Sequence, residues 1–411
     1  MKRTIVIVDL VILACLAGFF IGRGTSHQIS KYDERAEKAW KKAEQADTPP
    51  VTEDSTEKQF DKVRVLYRKV FDLYPDSHWA DDALYQYASR LARSQEQQFI
   101  MLRRLISAYP DSEYADDSLY AIAYANYRLA EDEKSRNSEL AESDLYYNRA
   151  LRFFEQLISN YPGSSLHNNS LFNRAMCYYG KGQWSIAQDE FRTLRIDLAS
   201  DSIVHEVVYQ LGRIAIETQQ YEDAVSEFQN VVDSGIQRLA PNAQFGIAQA
   251  FFSQSKYEEA ISAYERTIEN YPKSVAAQDS CFYIGWAYQR MGKNEEAIIQ
   301  LEEAISLYPR NENAPNSLVF IAQIHYDQEN SDGAIESYRK VVDDNENFSY
   351  DMRRSALYWI GKIYEEEGDL DQAVNTYTSL VKDYAEHHQT HHHPSNNINE
   401  EYIQKLQAGR S

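Results

Sequence analysis

Cysteines are few, at three in 411 residues. Cys15 lies in an apolar N-terminal segment, whereas Cys177 and Cys281 fall on the first helices of two units, three units apart, in a repeat described below. Helices about 10 Å in diameter would separate these two by roughly 30 Å, and a disulfide needs Cα atoms within about 7 Å. We therefore expect two buried free thiols, and the cysteines do not indicate a redox compartment.

Motifs that carry catalysis are also lacking. The sequence contains no His-Glu-x-x-His, no phosphate-binding glycine loop, no Cys-x-x-Cys and no glycine–serine–glycine elbow. Acidic pairs such as Glu258-Glu259 and Glu295-Glu296 recur with the repeat, which is typical of solvated helix faces. We expect no enzyme, no cofactor, no metal site and no small-molecule substrate.

Basic residues are outnumbered, since 42 Lys and Arg stand against 63 Asp and Glu for a net charge of −21. Such a surface repels the phosphate backbone of nucleic acids and anionic membrane surfaces, so nucleic acid is excluded as an expected partner. The charge fits solubility, and it also fits steering toward a basic partner. With 43% hydrophobic and 26% charged residues, the composition is that of a globular protein.

The chain does have a repeat of about 37 residues, in which a bulky residue precedes a small one by three places. The pairs are Tyr85/Ala88, Tyr120/Ala123, Phe172/Ala175, Tyr209/Gly212, Phe245/Ala248, Phe282/Gly285, Val319/Ala322 and Tyr358/Gly361. A second series runs in step: Ala150, Ala187, Ala224, Ala260, Ala297, Ala334 and Ala373. Two interleaved series at one period predict a copied helix pair, and the small residue lets the two helices approach closely.

Local signals mark the helix ends. First helices open with a capping signal, as at Asp81-Asp82, Asp116-Asp117 and Asn242. We expect these acidic and Asn side chains to accept from the free N–H groups of the helix N-terminus and to suit the helix dipole. A turn with Gly or a polar residue then leads to the second helix, and Tyr-Pro often closes the unit because proline cannot continue a helix. The closing pairs are Tyr74-Pro75, Tyr109-Pro110, Tyr161-Pro162, Tyr271-Pro272 and Tyr308-Pro309.

One unit resembles the tetratricopeptide repeat at nearly every defining place. Its matching residues are Gly285, Tyr288, Ala297, Leu301, Ala304 and Pro309. The resemblance implies an all-α fold, a right-handed superhelical solenoid of antiparallel helix pairs, with about nine repeats after an N-terminal membrane segment. The chain departs from the family in unit length, about 36–37 residues where the family norm is about 34, and in Cys281, which replaces the family's tryptophan.

The linking sequence narrows the resemblance. Tyr-Pro-Asp-Ser-x-x-Ala-Asp-Asp-Ala/Ser-Leu-Tyr occurs at 74–85 and 109–120, and shorter forms follow at 161–164 and 271–274. These segments are similar to BamD-like outer-membrane assembly lipoproteins and to the periplasmic Tol–Pal repeat protein. The resemblance implies a non-catalytic scaffold of the bacterial cell envelope that binds protein or peptide partners. A cytoplasm-facing membrane-anchored scaffold and a repeat adaptor serving a separate enzyme remain alternatives.

The expected domains are a signal anchor or signal peptide at 1–24, a repeat solenoid at 25–385 and a His-rich tail at 386–411. The repeats are expected near 31–75, 76–110, 111–162, 163–199, 200–236, 237–272, 273–309, 310–346 and 347–385. The third repeat holds extra residues within 124–149. They predict either a loop on the binding face or longer helices with a loop between them.

In the tetratricopeptide family the first helices line a concave groove, so side chains at two of their positions are candidates for partner binding. The bulky series supplies Tyr85, Tyr120, Phe172, Tyr209, Phe245, Phe282, Val319 and Tyr358, and one turn on lie Tyr124, Met176, Arg213, Gln249, Trp286, Gln323 and Lys362. An aromatic groove suits a peptide with apolar anchors. The alternative is that the aromatic rings pack against one another as core.

Residues 4–22 are apolar except for Asp9 and are long enough to span a bilayer. They predict an inner-membrane anchor with the repeats in the periplasm, or else a lipoprotein signal ending at Cys15 or a cleaved signal before Thr25. The tail groups histidines at 387–393, which fits a low-complexity linker or a Zn²⁺ or Ni²⁺ site. Residues 398–407 predict a short closing helix.

Overall fold

The computed structural model describes residues 26–47, 57–136, 140–199, 201–311, 313–344, 348–386, 398 and 400–408. The regular structure of these residues is helical, as the repeat predicts. Contacts divide the chain into two compact units, Met1–Ala187 and Gln188–Ser411, and the boundary falls within one helix.

In the first unit, consecutive helices from Ser26–Ala46 to His167–Gly180 each pack on the next. The helices of this unit are α1 (Ser26–Ala46), α2 (Glu57–Leu73), α3 (Ala80–Gln86, continued by the π-helical turn Tyr87–Leu91), α4 (Gln95–Ala108), α5 (Ala115–Ser135), α6 (Leu140–Asn160), α7 (His167–Gly180) and the start of α8 (Trp184–Asp197).

The second unit continues the same pattern of packed helix pairs after the rest of α8. Its helices are α9 (Val204–Glu217), α10 (Tyr221–Asp233), α11 (Ala240–Ser253), α12 (Tyr257–Asn270), α13 (Val275–Arg290), α14 (Asn294–Leu307), α15 (Asn313–Asp327), α16 (Ser331–Asp343), α17 (Tyr350–Glu366), α18 (Leu370–Glu386) and α19 (Glu400–Ala408).

The small member of each sequence pair sits where the two helices of a repeat touch. A Cβ atom added to Gly212 would lie 2.7 Å from Cε1 of Phe228 on the second helix, and one added to Gly361 would lie 2.5 Å from Cε1 of Tyr377. Phe228 and Tyr377 are both buried. The predicted close approach at the small residue is therefore confirmed.

The turn inside six of the helix pairs repeats one hydrogen-bond pattern. At Gly292 the N–H bonds the carbonyl of Gln289, and the next N–H, of Lys293, bonds the carbonyl of Tyr288. These two bonds close the first helix and require a left-handed residue between them. That residue has positive φ in six turns: Gly182, Gln219, Ser255, Gly292, Glu329 and Gly368.

The first helices begin slightly earlier than their acidic residues indicate. The residues preceding α3, α5 and α11 are Trp79, Tyr114 and Leu239, and none of their side chains caps the helix. The expectation that acidic residues cap these helices is thus wrong, because a residue inside the first turn has already joined the helix. Asp81 and Asp82 instead act from the first turn of α3, where negative charge suits the helix dipole.

The Tyr-Pro pair joins one repeat to the next in the first unit. The hydroxyl of Tyr109 donates to the carbonyl oxygen of Pro75 at 2.8 Å, and that of Tyr161 donates to the carbonyl oxygen of Pro110 at 2.7 Å. Proline therefore ends a helix and leaves a carbonyl that the following repeat uses.

The extra residues of the third repeat lengthen its helices. α5 and α6 have 21 residues each, whereas α7 has 14. The added turns pack on the following first helix: Lys134 Nζ donates to the carbonyl of Gly180 at 2.8 Å, and Tyr147 fills the space in which a Gly180 side chain would stand. Of the two predictions for this segment, longer helices are confirmed, while 137–139 between them lie outside the described residues.

The predicted closing helix is present as α19, which packs on α18. Ile403 is buried there, and the hydroxyls of Tyr402 and Tyr377 donate to the two carboxylate oxygens of Glu365 at 2.7 and 3.0 Å. The predicted membrane segment with Cys15 and the histidines at 387–393 lie outside the described residues. Within the part that is described, no helix is long and apolar enough to cross a membrane.

Candidate protein-binding surface

In each unit the first helices of neighbouring repeats contact one another directly, as α5 does α7, and α11 does α13. Neighbouring second helices approach one another less closely. The first helices therefore line the inner side of each unit's curve, and we call the surface that they form the inner face. The candidate residues of the first unit on these helices are Tyr85, Tyr120, Tyr124, Phe172 and Met176, and those of the second unit are Tyr209, Arg213, Phe245, Gln249, Phe282, Trp286, Gln323, Tyr358 and Lys362.

The bulky series largely packs within its own helix pair. The ring of Tyr120 lies 5.9 Å from that of Phe154, and Tyr209 lies 5.6 Å from Phe228. Phe282 is completely buried, so it forms core and offers no surface to a partner. The other bulky candidates are half-buried. These aromatic rings therefore hold a pair together and expose only part of their area.

The series one turn on reaches the surface more fully. Tyr124 is 39% exposed, and its ring stacks on that of Tyr120 with centroids 5.9 Å apart and planes within 5°. Met176, Gln249 and Trp286 are half-buried on the same side of their helices. We therefore take this series as the main candidate for partner contacts.

Polar members of that series already have intramolecular partners. Arg213 donates to Gln210 Oε1 at 3.0 Å, Gln323 donates to Asp327 Oδ1 at 2.8 Å, and Lys362 lies 3.4 Å from a carboxylate oxygen of Glu366. These contacts join residues three or four apart on one helix, so they are weak enough to exchange for a partner's groups.

Aromatic rings from three consecutive first helices of the second unit meet on its inner face. We call Phe245, Phe252, Tyr283, Trp286 and Phe320 the inner-face cluster. Tyr283 is at its centre, with ring centroids 5.2 Å from Phe245, 6.3 Å from Phe252 and 4.6 Å from Trp286, and Trp286 lies 6.1 Å from Phe320. All five side chains are half-buried, so part of each residue remains exposed.

Sequence reasoning missed three residues of this face. Tyr283, Phe320 and Trp359 directly follow the bulky member in three consecutive repeats. These residues form a second aromatic series, and this repetition is the sequence signal that could have identified them. Trp359 packs against Tyr326 with centroids 5.7 Å apart, and the Tyr326 hydroxyl donates to Glu366 Oε2 at 2.7 Å. Aromatic rings and a carboxylate thus meet on α15 and α17.

The titratable groups here do not resemble an acid–base pair. Burial is the main cause of the raised pKa values of Tyr85 and Tyr209. It also raises the pKa of the Cys281 thiol to about 11, and that of Cys177 further. Both cysteines are buried and free, as expected, and their thiols stay protonated and unreactive. The described residues include no group of three or more His, Cys, Asp or Glu placed to hold a metal ion.

Family comparisons agree with this architecture. Residues 209–275, 278–311, 315–347 and 355–387 each match a family model described as tetratricopeptide repeat. The chain is a tetratricopeptide repeat protein. Residues 85–194, which include the lengthened helices α5 and α6, match the YfiO model, described as outer membrane lipoprotein.

Solved structures are similar at low identity. A tetratricopeptide repeat protein from Parabacteroides merdae is 13% identical over 70% of this chain and 97% of its own, with a TM-score of 0.41. The C-terminal part of a repeat protein from Cytophaga hutchinsonii is 17% identical over 68% and 99%, with a TM-score of 0.46. A signal transduction ATPase with a tetratricopeptide repeat sensor from Pyrococcus horikoshii is 12% identical over 88% and 53%, with a TM-score of 0.47. No curated protein sequence matches the chain.

Proposed function

We propose that the protein is a non-catalytic scaffold that binds partner proteins or peptides on its inner face. The observation that carries the proposal is the inner-face cluster, in which rings from successive first helices lie half-buried side by side. Clustered aromatic side chains are the usual anchors of protein interfaces. Tyr124 and Trp286 are the contact residues that we expect to matter most.

We further propose that the scaffold works in the bacterial cell envelope, in outer-membrane protein assembly or envelope maintenance. The match of residues 85–194 to the outer membrane lipoprotein model supports this. The repeats would be exported and held at a membrane, either by an anchor at 4–22 in the inner membrane or by a lipid on Cys15. The family description favours the lipid, and the continuous apolar run favours the anchor.

Site-specific photo-crosslinking in intact cells tests the binding surface. A photoreactive residue placed at Gln249 or Gln323 reports on the inner face, because both side chains are half-buried on first helices. Glu336 is the matched control, since its side chain is 71% exposed on the second helix α16. We expect protein adducts from the two inner positions and few from Glu336. No adducts, or equal adducts at all three places, would contradict the proposal.

Export and attachment need separate measurements. Phosphatase fused after Ser411 is expected to be active, because the enzyme works only outside the cytoplasm, and an inactive fusion would refute export. Labelling with a clickable fatty acid then decides the attachment. Label that disappears in Cys15→Ser establishes the lipid, and an unlabelled chain that stays in the membrane fraction establishes the anchor.

A further inference from the structure

The negative charge of the chain is carried almost entirely by one unit. Residues 188–411 contain 37 acidic and 18 basic residues, for a net charge of −19, whereas residues 1–187 contain 26 and 24, for a net charge of −2. Negative charge on either unit would be enough to keep the protein soluble, so solubility does not explain why the charge is concentrated on one unit. The concentration instead gives the second unit a strong field that attracts cations and raises their rate of encounter.

The inner face of that same unit combines aromatic rings with carboxylates. Tyr326 and Asp327 end α15, and Trp359 and Glu366 lie on α17. We call these four residues the end cluster. The Tyr326 hydroxyl holds one oxygen of Glu366, while the Glu366 side chain remains 43% exposed, and Asp327 is exposed. A ring beside a carboxylate suits a Lys or Arg side chain, which can lie over the ring and pair with the acid.

A cationic side chain of the protein itself already lies beside the end cluster. Lys362 Nζ lies 3.4 Å from Glu366 Oε1 and is 36% exposed. Such an exposed pair four residues apart is worth little, so a partner's cation can replace it. Lys362 belongs to the same series as Trp286, which is a member of the inner-face cluster.

We propose that the inner face of residues 188–411 binds a segment of a partner protein in which Lys or Arg alternates with apolar side chains. The apolar side chains contact the inner-face cluster, and a cation replaces Lys362 at the end cluster. The proposal rests on the proposed binding function of this face and adds the chemistry of the partner. The surface excess of acid disfavours an acidic segment by simple repulsion.

Fluorescence anisotropy with two short dye-labelled peptides tests this on the full-length protein in neutral detergent. One peptide alternates lysine with leucine, and its counterpart carries glutamate at every lysine. We expect binding of the lysine peptide only, with affinity that falls as salt rises. Equal binding of the two peptides, or of neither, would overturn the proposal.

Variants of the end cluster distinguish specific binding at these residues from attraction by the net negative charge of the unit. We expect Glu366→Gln to weaken lysine-peptide binding about fivefold, and Lys362→Met to strengthen it severalfold, because the competing cation is gone. The matched control is the ion pair of Glu336 and Lys340 on α16. Its residues are also four apart, and Lys340 Nζ lies 3.1 Å from Glu336 Oε1. Glu336→Gln and Lys340→Met are expected to change affinity much less. Equal effects of the two pairs would mean that net charge alone acts, and would overturn the site.

Trp359→Ala is expected to weaken binding, and Trp359→Phe to retain most of it, with helical content checked by circular dichroism. The photo-crosslinks distinguish the two proposals. If Gln323 captures segments without basic residues, the partner chemistry is wrong and the binding function stands. If the inner positions capture nothing, the binding function itself fails.

Discussion

A side-chain methyl on Gly285 would lie 2.5 Å from Cγ of Leu301, the residue that faces it from the second helix of the same pair. Leu301 is completely buried, so it cannot turn away without opening a gap. We expect Gly285→Ala to lower the free energy of unfolding by about 1–2 kcal/mol, because overpacking outweighs the better helix propensity of alanine. Urea unfolding followed by tryptophan fluorescence measures the change.

Gly163 provides the control for that substitution. A Cβ atom there would meet nothing within 4 Å, so Gly163→Ala is expected to leave stability nearly unchanged. A Gly285→Ala protein as stable as the unmodified one would contradict the assigned packing.

The left-handed residue of the turn allows a test in which two substitutions at equivalent turn positions should change stability in opposite directions. Ser255 has a φ of 60° and Gly292 a φ of 76°. A side chain costs about 1 kcal/mol in this region. Ser255→Gly is therefore expected to raise the free energy of unfolding by about 0.5 kcal/mol, and Gly292→Ala to lower it by about 1 kcal/mol. Thermal unfolding of the two variants measures both, and shifts of the same sign would refute the explanation.

The bond from Tyr109 to the Pro75 carbonyl is expected to stabilise the junction of two repeats. Tyr109→Phe removes only the hydroxyl and leaves a partly buried carbonyl without that donor, which should cost about 1 kcal/mol. Hydrogen exchange of the amides near Pro75 measures the local loss. Unchanged exchange there would show that the junction does not depend on this bond.

High pH should loosen the closing helix α19. Burial, and then the hydrogen bond to Glu365, raise the pKa of Tyr402 to about 12, whereas an unfolded tyrosine titrates near 10. A pKa raised in the folded state gives stability that is complete below about pH 10 and is lost as the pH rises toward 12. We expect the unfolding midpoint to fall over this range.

Tyr402→Phe isolates that contribution from the other tyrosines. The variant should be less stable than the unmodified protein at pH 9, and the difference should shrink by pH 12. A difference that stays constant across this range would show that Tyr402 does not contribute through its proton.

Much of the helix-pair architecture was predictable because its causes are local. The alternation of Tyr358 with Gly361, and the turn at Gly292, are each set by residues within a few places along the chain. The bonds from Tyr109 and Tyr161 were not predictable, because they join repeats and depend on the distance between helix ends. The capping role given to Asp81 failed for a related reason: the sequence marks a helix start only to within a turn.

The candidate surface was predictable in outline and not in detail. Choosing two positions of the first helix selected Tyr124, which is exposed, and Trp286, which is half-buried. It also included Phe282, since a ring that reaches the surface and one that fills the core have the same sequence signal. Tyr283 and Trp359 lie one place further along, in an aromatic series that the two chosen positions leave out.

The two buried thiols give the molecule its own chemical labels. Cys177 lies in the first unit and Cys281 in the second, and each becomes reactive only when its surroundings open. With Cys15 replaced by serine, the order in which the two react with a thiol reagent under mild denaturant reveals which half of the chain opens first. The reaction rates of the two thiols thus show whether the repeats unfold together or in succession, and no probe has to be attached to the folded protein.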